Sequence, residues 1–205
     1  MLGGTSVAIS KLEDFLDRSI YVLDTETTGL DGYPKDVVVD IAVCRVDPQK
    51  GTVDNVYSSV VGHDVSKWSD ERKNSWIFQN TDLSLDMVAA APPAEKVASD
   101  IRKILSGRNV TSFNTGFDLD KFLYQEPWSL KEKVIPSRCI MLASKDVCKL
   151  PGLYEDYKWP KLEEAYSIIV EGDPAGINGE QTHRALSDAV VASYILIALC
   201  RNGRY

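Results

Sequence analysis

The sequence predicts an α/β domain built on a mixed sheet of about five strands, the first three an antiparallel meander, flanked by helices. Three observations carry that expectation. Runs of β-branched and aromatic residues separated by short Gly/Pro turns fill residues 20–61, helical spacing then alternates with further strand-like runs, and no internal repeat or shift in composition divides the chain. At 205 residues, one domain over 1–205 is the default, and such a chain buries roughly 70% of its unfolded surface.

The elements follow in order. Ile20-Tyr21-Val22-Leu23 reads as a buried strand running into Asp24-Thr25-Glu26-Thr27-Thr28-Gly29. The turn Asp31-Gly32-Tyr33-Pro34 leads to a second strand over 37–46, and Asp47-Pro48-Gln49-Lys50-Gly51 to a third over 53–61. Residues 68–91 mix patterns, as short helices and loops do. Val97, Ala98, Ile101, Ile104 and Leu105 fall at helical spacing and predict a helix over 94–105, stopped by Gly107. Residues 110–113 form the next strand, Asn114-Thr115-Gly116 a turn, and 117–124 a helix. A fifth strand falls over 134–140, at an edge because of Pro136. A helix over 162–169, a polar loop over 171–181 and a long helix over 184–200 complete the chain, the last with Ala185, Ala189, Ala192 and Leu196 on one face.

Composition narrows the function. Lys and Arg number 23 against 30 Asp and Glu, a net charge of −7. That balance argues against a general nucleic-acid coat. It leaves room for an enzyme that handles one polynucleotide end through bound cations, which can reverse the sign of a site. No run approaches the about 18 apolar residues of a membrane span. The first residues lack a basic segment followed by an apolar core, so a cytoplasmic location without membrane association is expected. Cys44, Cys139, Cys148 and Cys200 form no C-x-x-C pair, and the two histidines, His63 and His183, lie far apart. A Cys/His zinc site is not expected, and the thiols read as reduced, small apolar groups.

Three groups of residues carry chemistry. Asp24 and Glu26 are two apart on a strand, so they share a face roughly 7 Å apart. Two like charges crowded after an apolar run need protons, donors or a cation, and hard divalent cations prefer carboxylate oxygens. Asp118 follows a strand and an Asn/Gly turn, at the sheet edge where open α/β sheets place ligands. His183 and Asp188 are roughly 140° apart on a helical wheel. His183 therefore falls just before the last helix, while Asp188 faces inward with Ala185, Ala189 and Ala192. Each group alone also has an ordinary reading: a solvated strand end, a carboxylate at a helix dipole, a loop histidine.

Together, their order and type resemble the DEDD superfamily of 3′–5′ exonucleases, in its DEDDh branch of proofreading and RNase T-like enzymes. The matching motifs are Asp24-Thr25-Glu26-Thr27-Thr28-Gly29-Leu30, then Asn114-Thr115-Gly116-Phe117-Asp118 with Phe122-Leu123, then His183-Arg184-Ala185-Leu186-Ser187-Asp188-Ala189. Val38-Val39-Asp40-Ile41-Ala42-Val43 extends the likeness, which covers residues 20–199. Residues 62–91 match poorly, and Thr111-Ser112-Phe113 and Thr115-Gly116 depart from the commoner pattern.

The resemblance implies an RNase H-like sheet. It implies that Asp24, Glu26, Asp118 and Asp188 hold two divalent ions, Mg²⁺ or Mn²⁺, about 4 Å apart, with His183 as general base. The implied reaction frees nucleoside 5′-monophosphates from 3′ ends of single-stranded DNA or RNA. Thr27, Thr28 and Gly29 would meet the terminal nucleotide. Phe117 would stack on a base or pack the core, and Asn114 would touch substrate or simply make the turn. A polymerase or a second copy is a possible partner. A small-nucleotide phosphodiesterase and a noncatalytic binding module are the alternative readings.

Overall fold

The computed structural model describes residues 19–153, 156–177 and 183–205. Five strands form one sheet in the order β3-β2-β1-β4-β5: β1 Ile20–Thr27, β2 Val38–Asp47, β3 Thr52–Val60, β4 Asn109–Ser112 and β5 Ile135–Pro136. β1, β2 and β3 pair antiparallel, as their short turns require, whereas β4 pairs parallel with both β1 and β5. The expected meander and mixed sheet are present.

Side-chain alternation along β1 divides the core in two. Tyr21 and Leu23 join Ile41 and Val43 against Val97, Ala98, Ile101 and Leu105 of α4 (Ala94–Leu105). Val22 faces the other side, toward α6 (Ile140–Cys148), α7 (Leu162–Ile169) and α8 (Ala185–Arg201). Ala42 and Cys44 of β2 meet Ala185 and Ala189 of α8, small residues that let the helix lie close on the sheet. Between β3 and α4 come α1 (Asp70–Lys73), α2 (Trp76–Asn80) and α3 (Leu85–Ala90); Ile77 of α2 and Val88 of α3, with Trp68 and Leu83 from the connecting loops, close over Val39.

Four elements differ from expectation. β1 continues to Thr27, past its apolar run, because β2 supplies partners through Glu26↔Asp40, where the register shifts. α5 (Gly116–Leu123) is wider than an α-helix, with Tyr124 N–H donating five residues back to Leu119 O at 2.8 Å. The fifth strand lies at the edge but has only two residues, its Ile135 and the following Ser137 donating to Arg108 O and Val110 O of the β4 side. Ile140 instead opens α6, where Ile140, Ala143 and Ser144 are buried at helical spacing. The loop expected over 171–181 is irregular through 177, and 178–181 lie outside the described residues. Among the described residues no helix is long and apolar enough to cross a membrane.

Candidate active site

β1 and β4 are parallel, so their C-terminal ends open on one sheet edge. Asp24 and Glu26 follow Val22 on the face turned toward α8, as alternation dictates. Beyond β4 the chain turns at Asn114, whose carbonyl accepts the amides of Phe117 and Asp118 at 2.9 and 3.0 Å. Asp118 thus enters in the first turn of α5, and its Oδ1 accepts the Thr25 hydroxyl at 2.6 Å. Asp188 is buried in the first turn of α8, and His183 precedes that helix.

These elements enclose a cleft of about 180 Å³ lined by Asp24, Glu26, Asp118, Asp188 and His183, with Asn114 and Phe117 at its wall. Oxygen and nitrogen atoms of Glu26, Asp188 and His183 lie within 4.8 Å of one another. Phe117 is half-buried and also packs on Phe122, ring centroids 5.2 Å apart, so it belongs to both cleft and core. The imidazole of His183 meets the Trp76 ring edge to face at 4.9 Å.

The site carries concentrated negative charge. Burial first, then Asp118, Asp188, Glu26 and Asp40, holds the Asp24 carboxyl well above its ordinary range. Burial and the charges of Asp188, Asp40 and Asp118 push Glu26 up to about 8. Burial pushes Asp118 up to about 6 against the opposing hydrogen bond from Thr25. None of the described residues lining the cleft is a lysine or arginine. Two buried carboxylates, Asp118 and Asp188, and two half-buried ones, Asp24 and Glu26, with no lysine or arginine lining the cleft among the described residues, are a donor set of hard oxygens, and a divalent cation suits it. A larger concavity of about 640 Å³ beside the C-terminal end of α8, lined by Ile169, Tyr194, Ile197 and Arg201, contains none of these carboxylates.

The RNase T-type exonuclease family model matches residues 21–196. The chain belongs to that exonuclease family. This exonuclease domain is 27% identical over 183 residues to the 3′-5′ exonuclease DinG of Bacillus subtilis, covering 87% of this chain and 17% of DinG. It spans less than a fifth of that relative's length. The nuclease domain of 3′hExo, a DEDDh family member bound to rAMP, has a TM-score of 0.57 at 14% identity, over 90% of this chain and 92% of that one. Exonuclease I of E. coli, in complex with a dT13 oligonucleotide, has a TM-score of 0.61 at 14% identity, over 88% of this chain and 40% of that one. The fold is the RNase H-like fold that these solved exonucleases share.

Three expected substrate residues of the exonuclease domain do not line the cleft. The Thr27 hydroxyl donates to Gly29 O at 2.7 Å. The Thr28 hydroxyl donates to Asp36 Oδ1 at 3.1 Å and accepts from the Val37 amide at 3.1 Å. Gly29 leaves room for the Asp36 carboxylate, which a Cβ would meet at 2.5 Å. Sequence reasoning did not single out Thr25, Asp40, Asp82 or Arg184. Asp40 had a visible signal, a carboxylate inside the apolar run 37–46. Arg184 Nε donates to its Oδ2 at 2.8 Å.

Proposed function

We propose that this chain acts as a single exonuclease domain that hydrolyses phosphodiester bonds at the 3′ ends of single-stranded DNA or RNA and releases nucleoside 5′-monophosphates. The observation that carries this reading is the convergence of Asp24, Glu26, Asp118 and Asp188 with one imidazole in a cleft of the exonuclease fold. The four carboxylates would hold two divalent cations, Mg²⁺ or Mn²⁺. Such a pair supplies charge stabilisation at the attacked phosphate and at the leaving oxygen.

The chain's own groups do the rest. Asp24 and Glu26 come from a rigid strand, Asp118 and Asp188 from first helical turns, so four ligands are placed by backbone rather than by long side chains. His183 takes the proton of the attacking water, a role suited to imidazole at neutral pH. Phe117 offers a ring face to the terminal base, and Asn114 an amide beside it. The turn over 27–29 follows Glu26 outside the cleft lining and would meet a bound nucleotide only through its backbone, because both threonine hydroxyls are committed within the protein. Relatives support the substrate class: one solved neighbour is bound to rAMP and another to an oligodeoxynucleotide.

The test uses 5′-labelled single-stranded DNA and RNA of one sequence with Mg²⁺ or Mn²⁺. A ladder shortening from the 3′ end, absent for Asp24→Ala, is the expected result, and the faster polymer identifies the substrate. Cleavage confined to dinucleotides would reassign the site to a small-nucleotide phosphodiesterase. No cleavage and no carboxylate-dependent Mn²⁺ uptake would leave a binding module.

A further inference from the structure

His183 has a backbone φ of +51°, in the left-handed region that residues with a Cβ seldom adopt. Contacts around it must hold that conformation, and the next residue supplies them. Arg184 is extended, with φ −122° and ψ 131°. Its guanidinium works in two directions: Nε donates to Asp40 Oδ2 at 2.8 Å, and Nη1 donates to both oxygens of Asp82 at 3.1 Å.

The two acids come from different parts of the fold. Asp40 belongs to β2 and stands opposite Glu26 in the strand ladder. It is 2% exposed, and its Oδ2 also accepts the Ala185 amide at 3.3 Å, at the first residue of α8. Asp82 lies between α2 and α3, while Trp76 at the start of α2 touches the His183 ring. One short segment, 76–82, therefore meets the imidazole through Trp76 and the adjacent guanidinium through Asp82. A planar guanidinium can satisfy a carboxylate on each side, which an ammonium cannot do with fixed geometry. Arg184 does not line the cleft, and its bonds to Asp40 and Asp82 point to anchoring rather than to phosphate binding.

We propose that Arg184 is a positioning residue: by bridging Asp40 and Asp82 it fixes the backbone that presents the His183 imidazole to the cleft. This rests on the reading of His183 as general base. Asp40 is the inner anchor and also joins the start of α8. Asp82 is the outer anchor, with its side chain 71% exposed. An ion pair that exposed contributes little to folding, so its removal separates placement of the histidine from stability of the fold.

The experiment compares Asp82→Ala, Arg184→Lys, Arg184→Gln, His183→Ala and the double variant Asp82→Ala/His183→Ala in the intact chain. Steady-state kcat and KM are measured on a 5′-labelled oligonucleotide with Mn²⁺, with Mn²⁺ uptake by calorimetry and thermal midpoints alongside. Asp82→Ala is expected to lower kcat on the order of tenfold, as a small misplacement of a catalytic group does, with KM, Mn²⁺ uptake and thermal midpoint unchanged. Arg184→Gln is expected to lose more, and Arg184→Lys to recover part of that loss. The double variant should be no slower than His183→Ala alone, because no base remains to be positioned. A wild-type kcat for Asp82→Ala overturns the proposal, as does a loss that appears in KM or Mn²⁺ uptake, or one that adds to the loss of His183→Ala. A wild-type kcat for His183→Ala overturns the base reading itself, and so is told apart from failure of the Arg184 bridge.

Discussion

The hydroxyl of Thr25 donates to Oδ1 of Asp118 across 2.6 Å, joining β1 to the first turn of α5 inside the carboxylate cleft. Thr25 is itself buried and stands between Asp24 and Glu26, on the opposite face of the strand. The bond fixes one carboxylate from the helix side against the strand that carries two others. Thr25→Val keeps the shape and removes the donor. We expect it to destabilise the fold by about 1.5–3 kcal/mol, the usual range for a hydrogen bond to a charged group. A urea midpoint at about pH 8, with Mn²⁺ affinity measured in parallel, checks this. An unchanged midpoint would mean that the hydroxyl is replaceable there.

Burial of carboxyl groups should make the stability of the metal-free protein fall with pH. Glu26, ordinarily at 4.5, is pushed up to about 8, and Asp118, ordinarily at 3.8, to about 6, with burial the first cause of both. The folded state therefore holds these protons more tightly than the unfolded chain. Their contribution to stability is complete below the ordinary carboxylate values and is lost as pH climbs through about 6 and then about 8. In chelator, the thermal midpoint should fall by several degrees between about pH 5 and about pH 8.5, each kcal/mol shifting it by roughly 2–4 °C in a domain of this size. Mn²⁺ should abolish most of that fall, since the cation binds the deprotonated groups. A midpoint that is flat in chelator would contradict the buried-charge account.

Asp24→Asn should separate stability from activity. Its carboxyl is raised by burial and then by Asp118, Asp188 and Glu26, so ionising it as pH rises costs stability that an amide does not lose. In chelator near pH 8 the variant should melt higher than the wild type. Its kcat with Mn²⁺ should fall roughly 10³-fold, because several kcal/mol of charge stabilisation depends on the ligand. Lower melting together with lost activity would point to a structural role for Asp24 instead.

Gly29 is a packing requirement. A Cβ there would lie 2.5 Å from Asp36 Oδ1, and Asp36 is held by the Thr28 hydroxyl and the Asp31 amide. Gly29→Ala should destabilise by about 1–3 kcal/mol through overpacking. The same substitution in an Asp36→Ala background should do far less, because the clashing group is gone. Denaturation midpoints of the four proteins close the cycle.

Much of the site was legible because it follows backbone periodicity. Asp24 and Glu26 could be placed on one face by strand alternation, and His183 and Asp188 could be separated by the helical wheel. Both placements depend only on local geometry. Asp118 was legible from a strand, an Asn/Gly turn and a helix in succession. The bridge from Arg184 to Asp40 and Asp82 was not, since its partners lie 144 and 102 residues away and no local pattern couples them. The extent of the fifth strand was not legible for a different reason. Ile140-Met141-Leu142 is apolar enough for strand or helix, and only the burial of Ala143 and Ser144 beside Ile140 shows that α6 begins there. The partners of the Thr27 and Thr28 hydroxyls, a nearby carbonyl and the Asp36 carboxylate, were not legible because they are set by how the turn closes.

Pro136 of β5 closes one rim of the sheet. The amides of Ile135 and Ser137 both point inward to carbonyls at Arg108 and Val110. The residue between them would turn its amide outward, and that residue is Pro136, which has none. From Ile135 to Ser137 the backbone therefore offers no donor to a sixth strand, whether from another molecule or from a misfolded neighbour. Growth of the sheet on this side is blocked by a missing hydrogen atom rather than by bulk or charge.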